Sequence, residues 1–192
     1  MDNITLNRVL KQFINTKYNY LGIFTISQLS TIDTKKYKYL ALILFIPNIS
    51  KILGHWTVLI KVKNNIYFLD SFGLNPKLYN FDLKHTFKSK IKYNYYYLNV
   101  QIQSNSSTTC GAYAIYFIHT MILCKYNIIC LKKKINKHLK NRIKSINDNF
   151  VIQYMYDYFK NSLPNNCQKL FCNNKFITNR KLCIQTICKR KF

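Results

Sequence analysis

Apolar residues along this chain fall into a few strongly patterned segments. Residues 2–15 (DNITLNRVLKQFIN) place Ile4, Leu6, Val9, Leu10, Phe13 and Ile14 three and four positions apart, the spacing of a helix with one apolar side. A loop containing Gly22 is expected next. Residues 39–46 (YLALILFI) form a short continuous apolar run closed by Pro47, which suits a buried strand. Residues 55–62 (HWTVLIKV) and 66–70 (IYFLD) read as two strands joined by a tight polar turn of Lys63, Asn64 and Asn65. Pro76 opens a region with no assigned element. Residues 93–100 (YNYYYLNV) read as an aromatic-rich strand. The polar stretch from Gln103 to Thr109 leads into a helix at about 110–126, with Ser106, Ser107, Thr108 and Thr109 as possible N-caps. Residues 147–162 (NDNFVIQYMYDYFKNS) give an amphipathic helix with Phe150, Val151, Tyr154, Met155, Tyr158 and Phe159 on one side. The expected fold is α+β, a mixed or antiparallel sheet packed against a central helix that starts at Cys110. Residues 1–163 form that domain, and past Pro164 the composition shifts to a basic, Cys-containing tail over 164–192.

Composition changes the picture in two ways. With 192 residues, 48% of them hydrophobic and 16% aromatic, the chain can bury a substantial core. Its charge is lopsided: 30 Lys and Arg stand against 6 acidic residues, for a formal net charge of +24. All six acids are Asp. A/T-rich codons would account for abundant Lys, Asn, Ile and Tyr, but they would also supply Glu, which is absent. Selection against negative charge points instead to a polyanionic partner such as DNA or RNA, bound through phosphate contacts that weaken steeply with salt. Lys132, Lys133 and Lys134, in a basic segment open to a helical reading, are candidate contacts. So are Arg180, Lys181, Lys189, Arg190 and Lys191 in the tail, against the alternative of a solvated surface. Met1–Lys11 does not read as a secretory signal, so the seven cysteines suggest a reducing intracellular setting. The apolar stretch from Gly111 to Leu131 has the length of a membrane span, but His119 and Lys125 interrupt it, and no membrane association is expected.

Chemistry concentrates at three points. Cys110 sits where a helix would begin, and there the unpaired N–H groups and the positive end of the dipole favour a thiolate. Gly111 follows and removes side-chain bulk beside it. His55 opens one strand and Asp70 closes the next, so a hairpin turn brings them together as base and orienting carboxylate. Each residue alone has an ordinary structural role open to it: a small buried Cys, a packed surface His, a capping Asp. Their combination is the informative feature.

Gly54-His55-Trp56, then Asp70-Ser71-Phe72-Gly73, then Gln103 seven residues before Cys110-Gly111, resembles the adenovirus endopeptidase family of cysteine proteases. That family carries a His-Trp pair, an acidic residue followed by x-Phe-Gly, and a Gln seven residues ahead of a Cys-Gly. The related SUMO-type proteases share the order but usually place the Gln six residues ahead. Tyr20-Leu21-Gly22 matches the family's early aromatic-Leu-Gly segment, and the resemblance covers about residues 5–125.

The resemblance implies an adenain-like, papain-related fold. It makes Cys110 the nucleophile, His55 its partner and Asp70 the orienting acid, with Gln103 and the Cys110 N–H forming the oxyanion hole. Trp56 would shield the His–Asp contact and, with Gly111, line the substrate cleft. Gln101 is a decoy for Gln103, since on a strand both would face one side. The implied activity is cleavage of viral capsid and core precursor proteins during virion maturation, by a monomer inside the particle and in the infected cell. DNA is the implied activator, and no cofactor is needed for the chemistry. The family's disulfide-linked peptide activator uses a cysteine upstream of the nucleophile, and this chain has none before Cys110. Cys167, Cys172, Cys183 and Cys188 are open to zinc ligation, late disulfides or plain thiols, although their spacing is longer than structural zinc pairs usually show. Two rival readings are a protease that removes SUMO or ubiquitin-like modifiers and a non-catalytic basic nucleic-acid-binding protein.

Overall fold

The apolar runs at 39–46 and 55–62 lie side by side at the centre of a five-stranded sheet. The structure, a computed structural model, describes residues 3–11, 19–47, 54–87 and 92–163. The strands are β1 (Tyr20–Thr25), β2 (Tyr39–Ile46), β3 (His55–Val62), β4 (Asn65–Leu69) and β5 (Asn94–Tyr97), in the spatial order β1-β2-β3-β4-β5. The two outer pairings are parallel and the two inner ones antiparallel, so the sheet is mixed. The β3–β4 turn is tighter than expected. Val62 pairs with Asn65 across Lys63 and Asn64, and Lys63 takes a left-handed φ of 53°.

Both faces of the sheet are covered, which is why β2 and β3 read as unbroken apolar runs. Alternate residues serve opposite cores. Ala41, Ile43, Trp56, Val58, Ile60, Tyr67 and Leu69 belong to one cluster, which the central helix and its neighbours cover. Leu40, Leu42, Leu44, Leu59, Ile66 and Phe68 belong to the other, together with Tyr79, Phe81 and Leu83. The chain from Pro76 that had no assignment supplies this second lid, as a 3₁₀ turn over Pro76–Tyr79 and a short helix α2 (Leu83–Thr86).

The helices on the first face are α1 (Asn3–Lys11), α3 (Cys110–Leu123), α4 (Ile128–His138) and α5 (Lys144–Phe159). In α3, twelve of fourteen residues are buried, as expected of a helix that is apolar all round and surrounded by other elements. The stretch considered as a membrane span is two helices here, α3 and α4, broken by Lys125 and Tyr126 at φ 49° and 59°. Among the described residues no helix is long and apolar enough to cross a membrane. Cys124 and Cys130 flank that break and form a disulfide, a departure from the reducing setting that the cysteines suggested. Burial lowers the pKa of His119 on α3 to about 4, so it stays neutral, and its Nδ1 lies 2.8 Å from the Tyr154 hydroxyl of α5.

Three further expectations need correction. The segment around Gly22, read as a loop, is strand β1. Gly22 has a φ of 114°, and the pairing to β2 shifts register between Tyr20 and Ile23, so the glycine sits in a strand irregularity. The aromatic strand is shorter than 93–100, because the chain leaves the sheet after Tyr97. Finally, the buried side of α5 is not wholly apolar. It comprises Asn147, Asp148, Val151, Ile152, Met155 and Phe159, while Tyr158 is exposed.

Candidate active site

His55 is the first residue of β3, and its place there follows from strand periodicity. Along β3 it shares the parity of Leu59, and Asp70, just past β4, shares that of Ile66 and Phe68, so both point to the second face. Continuing the β3–β4 register pairs Asp70 with Thr57, which leaves His55 diagonal to it. Its Nε2 lies 2.7 Å from Asp70 Oδ1. The carboxylate is fully buried and satisfied. Phe72 N–H donates to Oδ1 at 2.9 Å, and Leu74 N–H and the Tyr79 hydroxyl donate to Oδ2 at 3.2 and 2.7 Å. Burial alone would raise the Asp70 carboxyl. The His55 bond, with the donors from Tyr79 and Phe72, outweighs burial and holds it below its ordinary 3.8.

Cys110 is the first residue of α3, as expected. Its thiol lies near enough to the His55 ring and the Trp56 backbone N–H for both to favour negative charge on sulfur. With Nε2 committed to Asp70, Nδ1 is the ring nitrogen left for the sulfur. Burial opposes charge on both groups, but their mutual attraction overcomes it. The His55 pKa rises from 6.5 to about 9, driven by Asp70 and Cys110 against desolvation. The Cys110 thiol falls below its ordinary 9.0, driven by His55 and the Trp56 N–H against desolvation. Both shifts favour the charged pair, thiolate and imidazolium, over the neutral one. Thr109, the N-cap of α3, gives the helix no side-chain cap, so no hydroxyl competes for the first-turn N–H groups beside the sulfur.

Gln103 is also fully buried. Its Oε1 accepts from Ser71 Oγ at 2.5 Å, and its Nε2 donates to the Ser107 carbonyl at 2.8 Å. One amide hydrogen is thus used to fix the group and the other is left over. The loop itself hangs on the Asp70 turn, because the N–H groups of Ile102 and Gln103 both donate to the Ser71 carbonyl, at 2.9 and 3.0 Å. Gly73 makes that contact possible. Its φ is 68°, and a Cβ there would lie 2.5 Å from the Val100 carbonyl carbon. Gln101 is distinguished from Gln103 by more than spacing. The two are not on a strand, and half-buried Gln101 spends its amide on the Gln103 carbonyl and Asn105 Oδ1.

The structure therefore brings His55, Asp70 and Cys110 together, and it ties the Gln103 loop to the turn that carries Asp70. Gly111 is buried in the first turn of α3. The Trp56 ring packs on Phe45 at 4.6 Å, and Phe72 and Tyr79 flank the imidazole at 4.9 and 6.0 Å. Sequence reasoning missed Tyr79, because nothing in the Pro76–Tyr79 segment distinguishes it from an ordinary core tyrosine. Tyr79→Phe is expected to slow cleavage three- to tenfold and to cost about 1.5–3 kcal/mol, the scale of a hydrogen bond to a charged group. Urea unfolding and a cleavage assay on the same preparation check both figures.

Lys132 and Lys133 lie exposed on α4, with Lys134 half-buried. They adjoin a shallow depression of about 310 Å³ lined by Asn127, Ile129, Cys130, Lys133, Lys134 and Lys137. Arg180, Lys181, Lys189, Arg190 and Lys191, and the cysteines Cys167, Cys172, Cys183 and Cys188, lie outside the described residues, as does the whole 164–192 tail. Among the described residues no group of three or more His, Cys, Asp or Glu side chains could hold a metal ion.

No family model matches the chain, and no curated protein sequence matches it. Among solved structures it is similar to ChlaDub1 from Chlamydia trachomatis, at 15% identity and a TM-score of 0.41, over 84% of this chain and 77% of that one. An overlap that loose establishes neither family nor activity for this chain.

Proposed function

We propose that this protein is a cysteine endopeptidase of the adenovirus-protease type. The observation that carries the proposal is the buried imidazole held between a carboxylate and a thiol at a helix start, with His55 raised to about 9 and Cys110 lowered. The Cys110 thiolate attacks the scissile carbonyl carbon, a C–S bond forms, and the π electrons move to oxygen. The uncommitted Gln103 amide hydrogen and the Cys110 N–H receive that oxyanion. As the tetrahedral species collapses, the C–N bond breaks and the leaving amine takes the proton from imidazolium. Water then attacks the thioester carbon and gives a proton to His55, and the C–S bond breaks with its electron pair returning to the Cys110 sulfur. The acid product leaves, and the ion pair is restored.

The substrates are viral capsid and core precursors cut during virion maturation, in the particle interior and the infected cell. The monomer acts with DNA as its activator. The charge of +24 supports the DNA part, since a protease held on phosphates can travel over a packaged genome. No cofactor takes part in the bond-breaking steps.

The test mixes purified protein with capsid and core proteins encoded by the same genome, with and without DNA at low salt, beside ubiquitin and SUMO conjugates. Cleavage of the capsid set that DNA accelerates and Cys110→Ala abolishes is the expected result. Conjugate cleavage with the capsid proteins intact would make the enzyme a modifier-specific protease. No cleavage, with Cys110 alkylated no faster than the other thiols, would leave a basic nucleic-acid-binding protein.

A further inference from the structure

Helix α5 carries two adjacent polar residues, Asn147 and Asp148, that are fully buried although most of the same face is apolar. Burying an amide and a carboxylate with no cation beside them is costly unless hydrogen bonds compensate. Asn147 Nδ2 donates to the Asn141 carbonyl just before α5, at 3.3 Å, and the other bonds go to the loop between β5 and α3 and to the start of α3. Asn147 Nδ2 also donates to the Ile102 carbonyl at 3.0 Å. Asp148 Oδ1 accepts from Ser104 N–H at 3.4 Å and from the Thr109 hydroxyl at 3.3 Å. It also lies 3.0 Å from the Tyr113 hydroxyl, which shares its proton with the Ile102 carbonyl at 2.9 Å. Ser107 Oγ lies 2.7 Å from the Thr109 hydroxyl and extends the network. Asp148 Oδ2 and Asn147 Oδ1 are buried without a hydrogen-bond partner, so these residues are not placed for the stability of α5 alone.

The contacts bracket the proposed machinery. Ile102 and Ser104 are the two neighbours of Gln103, and Thr109 is the residue before Cys110. The Thr109 hydroxyl, held by Asp148 and Ser107, does not cap the start of α3, where Ala112 and Tyr113 N–H donate instead to the Thr109 carbonyl. We infer that Asp148 is a positioning residue for the oxyanion hole: from α5 it fixes the Gln103 loop and the approach to Cys110 in the geometry that receives the developing negative charge. It touches no reacting atom. The inference rests on the thiol-protease reading of the same site.

The probe is benzyloxycarbonyl-glycine p-nitrophenyl ester, whose small acyl group needs little from the substrate cleft, and the readout is the rate of Cys110 acylation. Asp148→Ala should lower that rate 10- to 100-fold. The rate and pH midpoint of Cys110 alkylation by iodoacetamide should stay within about twofold of the parent, because that reaction needs the thiolate but no oxyanion hole. In a double-mutant cycle, Asp148→Ala added to Gln103→Ala should cost less than threefold more, since the two changes remove one function. Val151→Ala, a cavity in the same helix outside the machinery, should lower stability without a comparable loss of rate. Losses that multiply in the cycle, or an equal loss in Val151→Ala, would overturn the inference. Should Asp148→Ala not fold, Asp148→Asn retains an acceptor oxygen and takes its place in the cycle, and multiplying losses there overturn it equally. A parent enzyme that the ester does not acylate at Cys110 would instead sink the protease reading itself.

Discussion

Replacing His55 by alanine is expected to slow cleavage by about 10²–10⁴, the range over which a positioned acid–base group acts. Two losses combine. The leaving amine no longer receives a proton, and the thiolate loses the cation that stabilises it. Without His55, the burial that raises the Cys110 pKa is opposed chiefly by the Trp56 N–H, so the pKa climbs from its present lowered position. The variant should therefore lose rapid alkylation as well as cleavage, and raising the pH should restore alkylation but not cleavage. The parent should behave differently at its two limits. Alkylation and cleavage fall together as acid protonates Cys110 through its lowered pKa. Above about 9, where His55 loses its proton, cleavage falls while alkylation persists, because the thiolate remains and the proton donor does not. Parallel pH profiles from the two assays across that upper limit would show that His55 is not the acid.

The second large effect is expected at Gln103. Gln103→Ala should cost about 10²–10³ in cleavage rate, as the loss of one oxyanion donor does elsewhere. The thiolate should survive, because the ion pair is built from β3, the Asp70 turn and α3 rather than from the carboxamide. The side chain is buried and bonded at both ends, to Ser71 Oγ and the Ser107 carbonyl, so some of the loss will reflect a looser loop. Comparing Gln103→Ala with Ser71→Ala separates the two contributions. The serine variant removes the brace and keeps the donor, and it should lose about tenfold at most. Equal losses would make Gln103 a loop brace and not a donor.

How much of this was legible in the residues depends on how local each determinant is. Strands β2 and β3 were visible with their observed bounds, because a short apolar run between turn signals suits a strand buried on both faces. The meeting of His55 and Asp70 was visible because a hairpin converts short sequence separation into contact. Strand β1 was not visible. All but its first residue are half-buried, so its sequence lacks both an apolar run and an alternation, and it is a strand only because β2 offers a parallel edge. The buried face of α5 was misjudged at its N-terminal end because periodicity counts apolar residues, and Asn147 and Asp148 are buried for their hydrogen bonds. Apart from Asn141, their partners lie 35 to 45 residues earlier in the chain, beyond any local pattern. Tyr79 was hidden for the opposite reason, since a tyrosine in a short turn near a core raises no question until its hydroxyl is seen on Asp70.

The proposed chemistry depends on Cys110 being a thiolate near neutral pH because His55 is a cation beside it. The most direct measurement follows iodoacetamide alkylation of Cys110 against pH by mass spectrometry, in the parent protein and in His55→Ala. A midpoint below 9.0 in the parent, moving upward in the variant, is the predicted result. A parent midpoint at the ordinary thiol value, unchanged by the loss of His55, would contradict it.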